Sequence, residues 1–126
     1  MTARTLEVRV RQQPRAAIVD LHGEINAFAE AALNAAYAEA EGGAPEVILL
    51  NFADVDYINS TGIALIVGLL ARARAAHRRL LASGLSEHYV EIFNITRLAD
   101  FMTVYSSEDA ALQDVPVGES GSRAVG

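Results

Sequence analysis

A single-domain α/β fold is predicted, with a mixed β-sheet that opens on an antiparallel N-terminal hairpin, runs parallel in its later strands and is packed by about four helices. Three observations predict it. Residues 6–12 and 16–22 carry strand patterns on either side of a Gln-Gln-Pro turn. The run Val47 to Phe52 is almost wholly apolar, as expected of a central strand covered on both faces. Strand and helix patterns then alternate toward the C-terminus, the rhythm of parallel strands joined by right-handed crossovers.

The first strand alternates Leu6, Val8 and Val10 with Glu7, Arg9 and Arg11, which gives it one apolar face and suits an edge position. The second, Ala16 to His22, ends at Gly23-Glu24-Ile25. Asn26 is a good N-cap for a helix over 27–41, in which Ala29, Leu33, Ala36, Tyr37 and Ala40 form one apolar stripe. Gly42-Gly43-Ala44-Pro45 stops that helix. After the apolar run, a loop is expected to carry Asp54, Asp56 and Tyr57, and Ile58-Asn59-Ser60-Thr61-Gly62 opens a second helix to about His77. A short strand at 80–83, a helix at 86–95 with Tyr89, Ile92 and Phe93 on one face, and a last strand at 102–105 follow. Ser106 is expected to cap a short helix at 108–112, with Asp109 in a capping-box-like position. Residues 1–114 read as one domain and 115–126 as a flexible tail.

The 126 residues are enough to bury a core unaided, and the mixture of 52% hydrophobic with 21% charged residues is that of a soluble globular protein. The absence of cysteine removes disulfides and thiolate metal sites, and with the lack of an apolar leader it points to the cytoplasm. The longest apolar run, Ile63 to Ala71, falls well short of the roughly 20 residues that span a bilayer. A net charge of −6 disfavours nucleic acid and anionic membrane surfaces, so a protein partner is expected. All ten basic residues are Arg, which removes Lys-dependent P-loop and Schiff-base chemistry and a Lys-supported receiver site. His22, His77 and His88 have neither metal-ligand spacing nor a recognisable relation to a nucleophile, and read as surface residues.

The junction Asn59-Ser60-Thr61-Gly62 is the functional candidate, because it sets hydroxyls where a loop becomes a helix. The first backbone N–H groups of a helix lack intrahelical acceptors and carry the positive end of its dipole, so an anion is favoured there. Phosphate on Ser60 adds about −1.5 to −2 charges, which the fold tolerates and a docked partner does not. Ser, Thr and Asn are also simply good caps, and that plain structural reading competes with the switch. On the helix itself, Ile63, Ile66, Val67 and Leu70 form a core stripe. Thr61, Leu65, Gly68, Leu69 and Arg72 form a second stripe, more apolar than a solvated face, which a partner, neighbouring loops or a homodimer would cover.

These residues carry a family resemblance. Val47 to Phe52 followed by Val55-Asp56-Tyr57-Ile58-Asn59-Ser60-Thr61-Gly62-Ile63 resembles the signature of STAS-domain anti-sigma factor antagonists. Gly23-Glu24-Ile25-Asn26 resembles that family's G-E-L-D turn. Gly84-Leu85-Ser86 through Arg97-Leu98, Phe101 and Glu108 to Leu112 resembles its C-terminal half. Roughly residues 6–113 are covered. The resemblance implies a STAS fold and a non-catalytic switch without cofactor or metal. It implies that Ser60 is phosphorylated by an anti-sigma factor that is itself a serine kinase, with Thr61 as the secondary candidate. It further implies that the unmodified protein binds that kinase and frees a sigma factor, and that a phosphatase resets it. Partner contacts are expected from Asn26, Asp56, Tyr57, Asn59, Thr61, Gly62, Leu65, Leu69 and Arg72. Asn59 and Asn26 stand where many members have Asp, keeping hydrogen-bonding shape but not charge. The alternatives are a STAS scaffold or transporter-associated subunit without a phosphoswitch, and a small-ligand or nucleotide binder at the strand ends.

Overall fold

The computed structural model describes residues 5–115, so the expected tail at 115–126 lies outside the described residues except for Val115, which packs against the back of the sheet. Strand β1 (Glu7–Gln13) pairs antiparallel with β2 (Ala16–Ile25), which runs parallel to β3 (Val47–Ile58). Parallel strands β4 (Arg79–Ser83) and β5 (Thr103–Tyr105) complete a sheet whose spatial order is β1-β2-β3-β4-β5. Helices α1 (Glu30–Glu41), α2 (Ser60–Ala75) and α3 (Glu87–Ile95) connect successive parallel strands, and α4 (Glu108–Gln113) follows β5. Because the strand order never doubles back, crossovers of one hand deliver α1, α2 and α3 to the same face.

Core residues divide accordingly. On the front face, Ala17, Val19, Ile48, Leu50, Leu80 and Ala82 meet the helices in one cluster that includes Leu33, Tyr37, Ile66 and Phe93. On the back face, Ile18, Leu49 and Leu81 are covered by Ala111, with Leu112 and Val115 beside it. The predicted apolar stripe of α1 is buried throughout, from Ala29 to Ala40.

Several expectations change. The first turn of the expected 27–41 helix is a 3-10 turn over Ala27–Ala29, which Asn26 caps by accepting a 2.9 Å hydrogen bond from the Phe28 amide. The segment expected as a loop with Asp54, Asp56 and Tyr57 is strand, because β2 runs beside it as far as Ile25 and supplies its hydrogen bonds. Two register shifts, between Asp20 and His22 and between Gly23 and Glu24, break the alternation and give this stretch the polarity of a loop. The α4 cap is Ser107, not Ser106: its hydroxyl accepts from the Ala110 amide at 3.1 Å, which puts Asp109 one position short of the capping-box site. On α2, Leu69 is 2% exposed and belongs to the core, whereas Val67 is 46% exposed. The outward face is therefore Thr61, Ala64, Val67, Gly68 and Ala71, and the expected second stripe is displaced from it by about one residue.

Beside the first turn of α4 the back face is polar. Arg11 donates through Nε and Nη2 to Asp20 at 2.7 and 2.8 Å, and through Nη1 and Nη2 to Glu108 at 3.0 and 2.7 Å. Asn51 adds a 2.8 Å hydrogen bond to Asp20. Burial alone would raise the Asp20 pKa, but the hydrogen bonds from Arg11 and Asn51 outweigh it and hold the carboxyl below its ordinary value. Hydrogen bonds to Glu108 and Asp20 in turn raise the Arg11 pKa.

Two outcomes follow for stability. In urea melts, Ile66→Arg and Leu69→Arg both abolish cooperative folding, since each buries an unpaired charge, while Val67→Arg stays within about 0.5 kcal/mol of the native protein. Arg11→Met costs about 1–2 kcal/mol at neutral pH by leaving two carboxylates facing each other across a partly exposed site. Because the folded-state pKa of Asp20 is depressed, its contribution is complete above the ordinary Asp value and is lost as pH falls through the folded one. The gap between Arg11→Met and the native protein therefore closes on acidification, which melts taken across the acid range will show.

Candidate functional site

The site is assembled where the C-terminal ends of β2 and β3 meet the start of α2. Ile25 pairs with Ile58, and the Asn59 amide donates to the Ile25 carbonyl at 3.2 Å, so the chain leaves β3 pressed against the end of β2. At Gly62 the backbones are closer still: a Cβ there would stand 2.1 Å from the Ile25 carbonyl oxygen, a separation that only glycine avoids.

Asn59 is the N-cap of α2, with an extended backbone (φ −94°, ψ −177°), and its Oδ1 accepts from the Gly62 amide at 2.8 Å. With Oδ1 engaged, the side-chain NH2 is left beside Ser60, and it has no hydrogen-bond partner among the described residues. Ser60 is the first residue of the helix and is exposed. Its hydroxyl makes no hydrogen bond to any described residue, and no general base is engaged with it. Thr61, next along the helix, is exposed as well.

A cleft of about 370 Å³ opens on one side of Ser60, walled by Tyr57, Ile63, His88, Tyr89, Ile92 and Thr96. Tyr89 fixes that wall: its hydroxyl accepts from the Ile58 amide at 2.9 Å and lies 3.3 Å from the Ile58 carbonyl, so α3 is tied to the end of β3. Phe28, in the turn after β2, is 91% exposed, and Tyr57 is 51% exposed. Val67, two turns along α2, is a further exposed apolar side chain.

Asn26, Asp56, Tyr57, Asn59 and Thr61 are gathered at this end, on the turn after β2, the end of β3 and the first turn of α2. The remaining expected contacts lie elsewhere in the packing. Gly62 is buried beneath Ile25, and Leu65 is half-buried against the core. Leu69 is core, and Arg72 is committed to Glu41 at 3.0 Å and to the face of the Tyr37 ring at 4.6 Å. The cleft residues His88, Ile92 and Thr96 went unrecognised as neighbours of Ser60, because their proximity is tertiary, and the exposure of Phe28 and Val67 was not anticipated. An apolar side chain at Phe28, off the buried stripe of its helix, was the one signal in the sequence. Among the described residues no His, Asp and Glu side chains cluster as metal ligands, and no helix is long and apolar enough to cross a membrane.

The STAS domain family matches over residues 7–111. The anti-sigma-B factor antagonist of Bacillus subtilis is 29% identical over 109 residues, covering 86% of this chain and 98% of that protein. An anti-sigma factor antagonist from Mycobacterium paratuberculosis has the same fold, with a TM-score of 0.72 at 19% identity, over 88% of this chain and 94% of that one. The anti-sigma factor antagonist SpoIIAA of Bacillus, in its unphosphorylated form, superimposes with a TM-score of 0.68 at 21% identity, over 85% of this chain and 95% of that one.

The geometry assigns the cap to Asn59 and leaves Ser60 without a structural duty. Asn59→Ala is expected to cost about 1 kcal/mol, whereas Ser60→Ala stays within about 0.5 kcal/mol of the native protein, as for a surface substitution. Chemical melts of the two variants check this, and an equal loss in both would return the capping role to Ser60.

Proposed function

We propose that this chain, which belongs to the STAS domain family, is an anti-sigma factor antagonist: a non-catalytic switch that docks an anti-sigma factor of the serine-kinase type and thereby frees a sigma factor to direct transcription. Phosphorylation of Ser60 turns it off, and a phosphatase resets it. The relative from Bacillus subtilis, matched over nearly its whole length, bears the name anti-sigma-B factor antagonist. The reading places the protein in the cytoplasm, where its partners act.

The observation that carries this reading is the state of Ser60, an exposed hydroxyl without a hydrogen-bond partner among the described residues, at the first position of a 16-residue helix whose cap is supplied by its neighbour. A kinase reaches such a hydroxyl without unfolding anything. The phosphate it leaves is stabilised by the free amides and the dipole of α2, and by the NH2 of Asn59 as a further donor. An Asp at position 59 would cap equally well but repel the adjacent phosphate, so the Asn in this chain favours the modified state.

The switch works on the partner and not on the fold. Phe28, Tyr57, Thr61, Ala64 and Val67 offer a small-residue and aromatic surface around Ser60, and burying it against a partner contributes favourably only while no dianion stands in its midst. Charge brought into such an interface has to be desolvated without a counter-ion, and the complex is lost.

Incubation with ATP and each serine-kinase anti-sigma factor of the same genome, followed by intact-mass analysis, tests the assignment. One phosphoryl group is expected on the native chain and on Thr61→Ala, and none on Ser60→Ala, which still binds the kinase and cannot be switched off. Val67→Arg is expected to weaken kinase binding at least tenfold with an unchanged melting temperature. Phosphate transferred to Ser60→Ala at the native rate would remove Ser60 from the mechanism.

A further inference from the structure

Helix α3 separates two surfaces. His88, Tyr89, Ile92 and Thr96 face the cleft beside Ser60. On its other side Glu87, Val90, Glu91 and Asn94, spaced at i, i+3, i+4 and i+7, face a groove of about 510 Å³ completed by Leu85 and by Val104 to Ser106 along β5.

Three properties of that groove point to one kind of occupant. Its floor is apolar, formed by half-buried Leu85, Val90 and Val104. Its far wall is a sheet edge: β5 is paired with β4 on one side, and no described strand pairs it on the other, so its outer backbone groups are available to an added strand. A protected edge carries its charge on the strand itself. Here Thr103 to Ser106 is uncharged and the acids stand on the opposite helix, where they frame the groove and leave the edge open. Glu87 and Glu91 are both exposed, and neither forms an ion pair among the described residues. Two unpaired carboxylates on a chain of net charge −6 repel an acidic segment and attract a basic one.

We propose that this groove is a second docking surface, which takes an extended segment of a partner protein carrying apolar side chains flanked by Arg or Lys. The segment adds to β5 as a further strand, sets an apolar side chain on Leu85, Val90 and Val104, and pairs its cations with Glu87 and Glu91. Neither the groove nor its occupant depends on the state of Ser60, so this surface recruits independently of the switch.

The test is a ¹⁵N NMR titration of the full chain with a blocked hexapeptide alternating Arg and Val, against a control alternating Glu and Val. Amide shifts are expected at Thr103 to Ser106 and Val90 to Asn94, with the Ser60 region unmoved, and the glutamate peptide is expected to be silent. Glu87→Arg with Glu91→Arg, two surface changes that leave the fold intact, is expected to weaken arginine-peptide binding about tenfold, and added salt is expected to weaken binding to the native chain. The proposal is overturned by silence at millimolar arginine peptide, by equal binding of the glutamate peptide, or by shifts centred on Ser60. Shifts of the same amides on dilution without peptide would assign the groove to a second copy. Displacement of resonances from residues 116–126 would assign it to this chain's own C-terminus. Either would equally overturn the proposal.

Discussion

The close approach of Gly62 to the Ile25 carbonyl is the constraint on which the functional end of the molecule depends. With 2.1 Å between that oxygen and where a side chain would begin, α2 can start in one position only, laid on the joined ends of β2 and β3. From that placement the rest follows: the Asn59 side chain reaches the Gly62 amide, the following hydroxyl turns outward, and Ser60 and Thr61 face solvent at the start of the helix, where amides lack intrahelical acceptors. No side-chain network holds Ser60. Its direction is imposed by backbone contact, which is why a group can be added to it without rebuilding anything beneath.

The extent to which this was legible in the sequence depended on how one-sided each element is. Helix α1 is apolar on one stripe and polar elsewhere, and its buried residues could be named individually. Helix α2 is apolar nearly all round between Ile63 and Ala71, so periodicity offers several equally good stripes. Only its crossing over the sheet decides that Leu69 goes in and Val67 out. The second half of β3 was hidden because two register shifts break its alternation and place acids where a loop would have them. Ser106 and Ser107 are equivalent caps until the strand before them fixes the frame. At the site, the run Asn59 to Gly62 announces itself through the needs of a helix start. The cleft beside it does not, since it exists only because the Tyr89 hydroxyl reaches the backbone of Ile58 from 31 residues away.

The two faces of the sheet divide the work. Strands taken in chain order send α1, α2 and α3 to one side, and nearly all apolar packing gathers there. Among the described residues the other side has the short helix α4, with Tyr105 and Val115, to cover Ile18, Leu49 and Leu81, and polar contacts lie beside it. The two clefts described above, one beside Ser60 and one beside β5, correspondingly open on either side of α3, so one short helix separates them.

The bond from Arg11 to Glu108 joins positions 97 residues apart. Synthesis proceeds from the N-terminus, so when the hairpin and the first three helices have already emerged from the ribosome, Arg11 and Asp20 still wait for their third member and the apolar back of the sheet still lies open. Helix α4, the last among the described residues, therefore closes the back of the sheet through a contact that spans most of the domain. A chain cut short before α4 would leave Ile18, Leu49 and Leu81 uncovered on the back of the sheet, an exposed apolar patch of the kind that drives association.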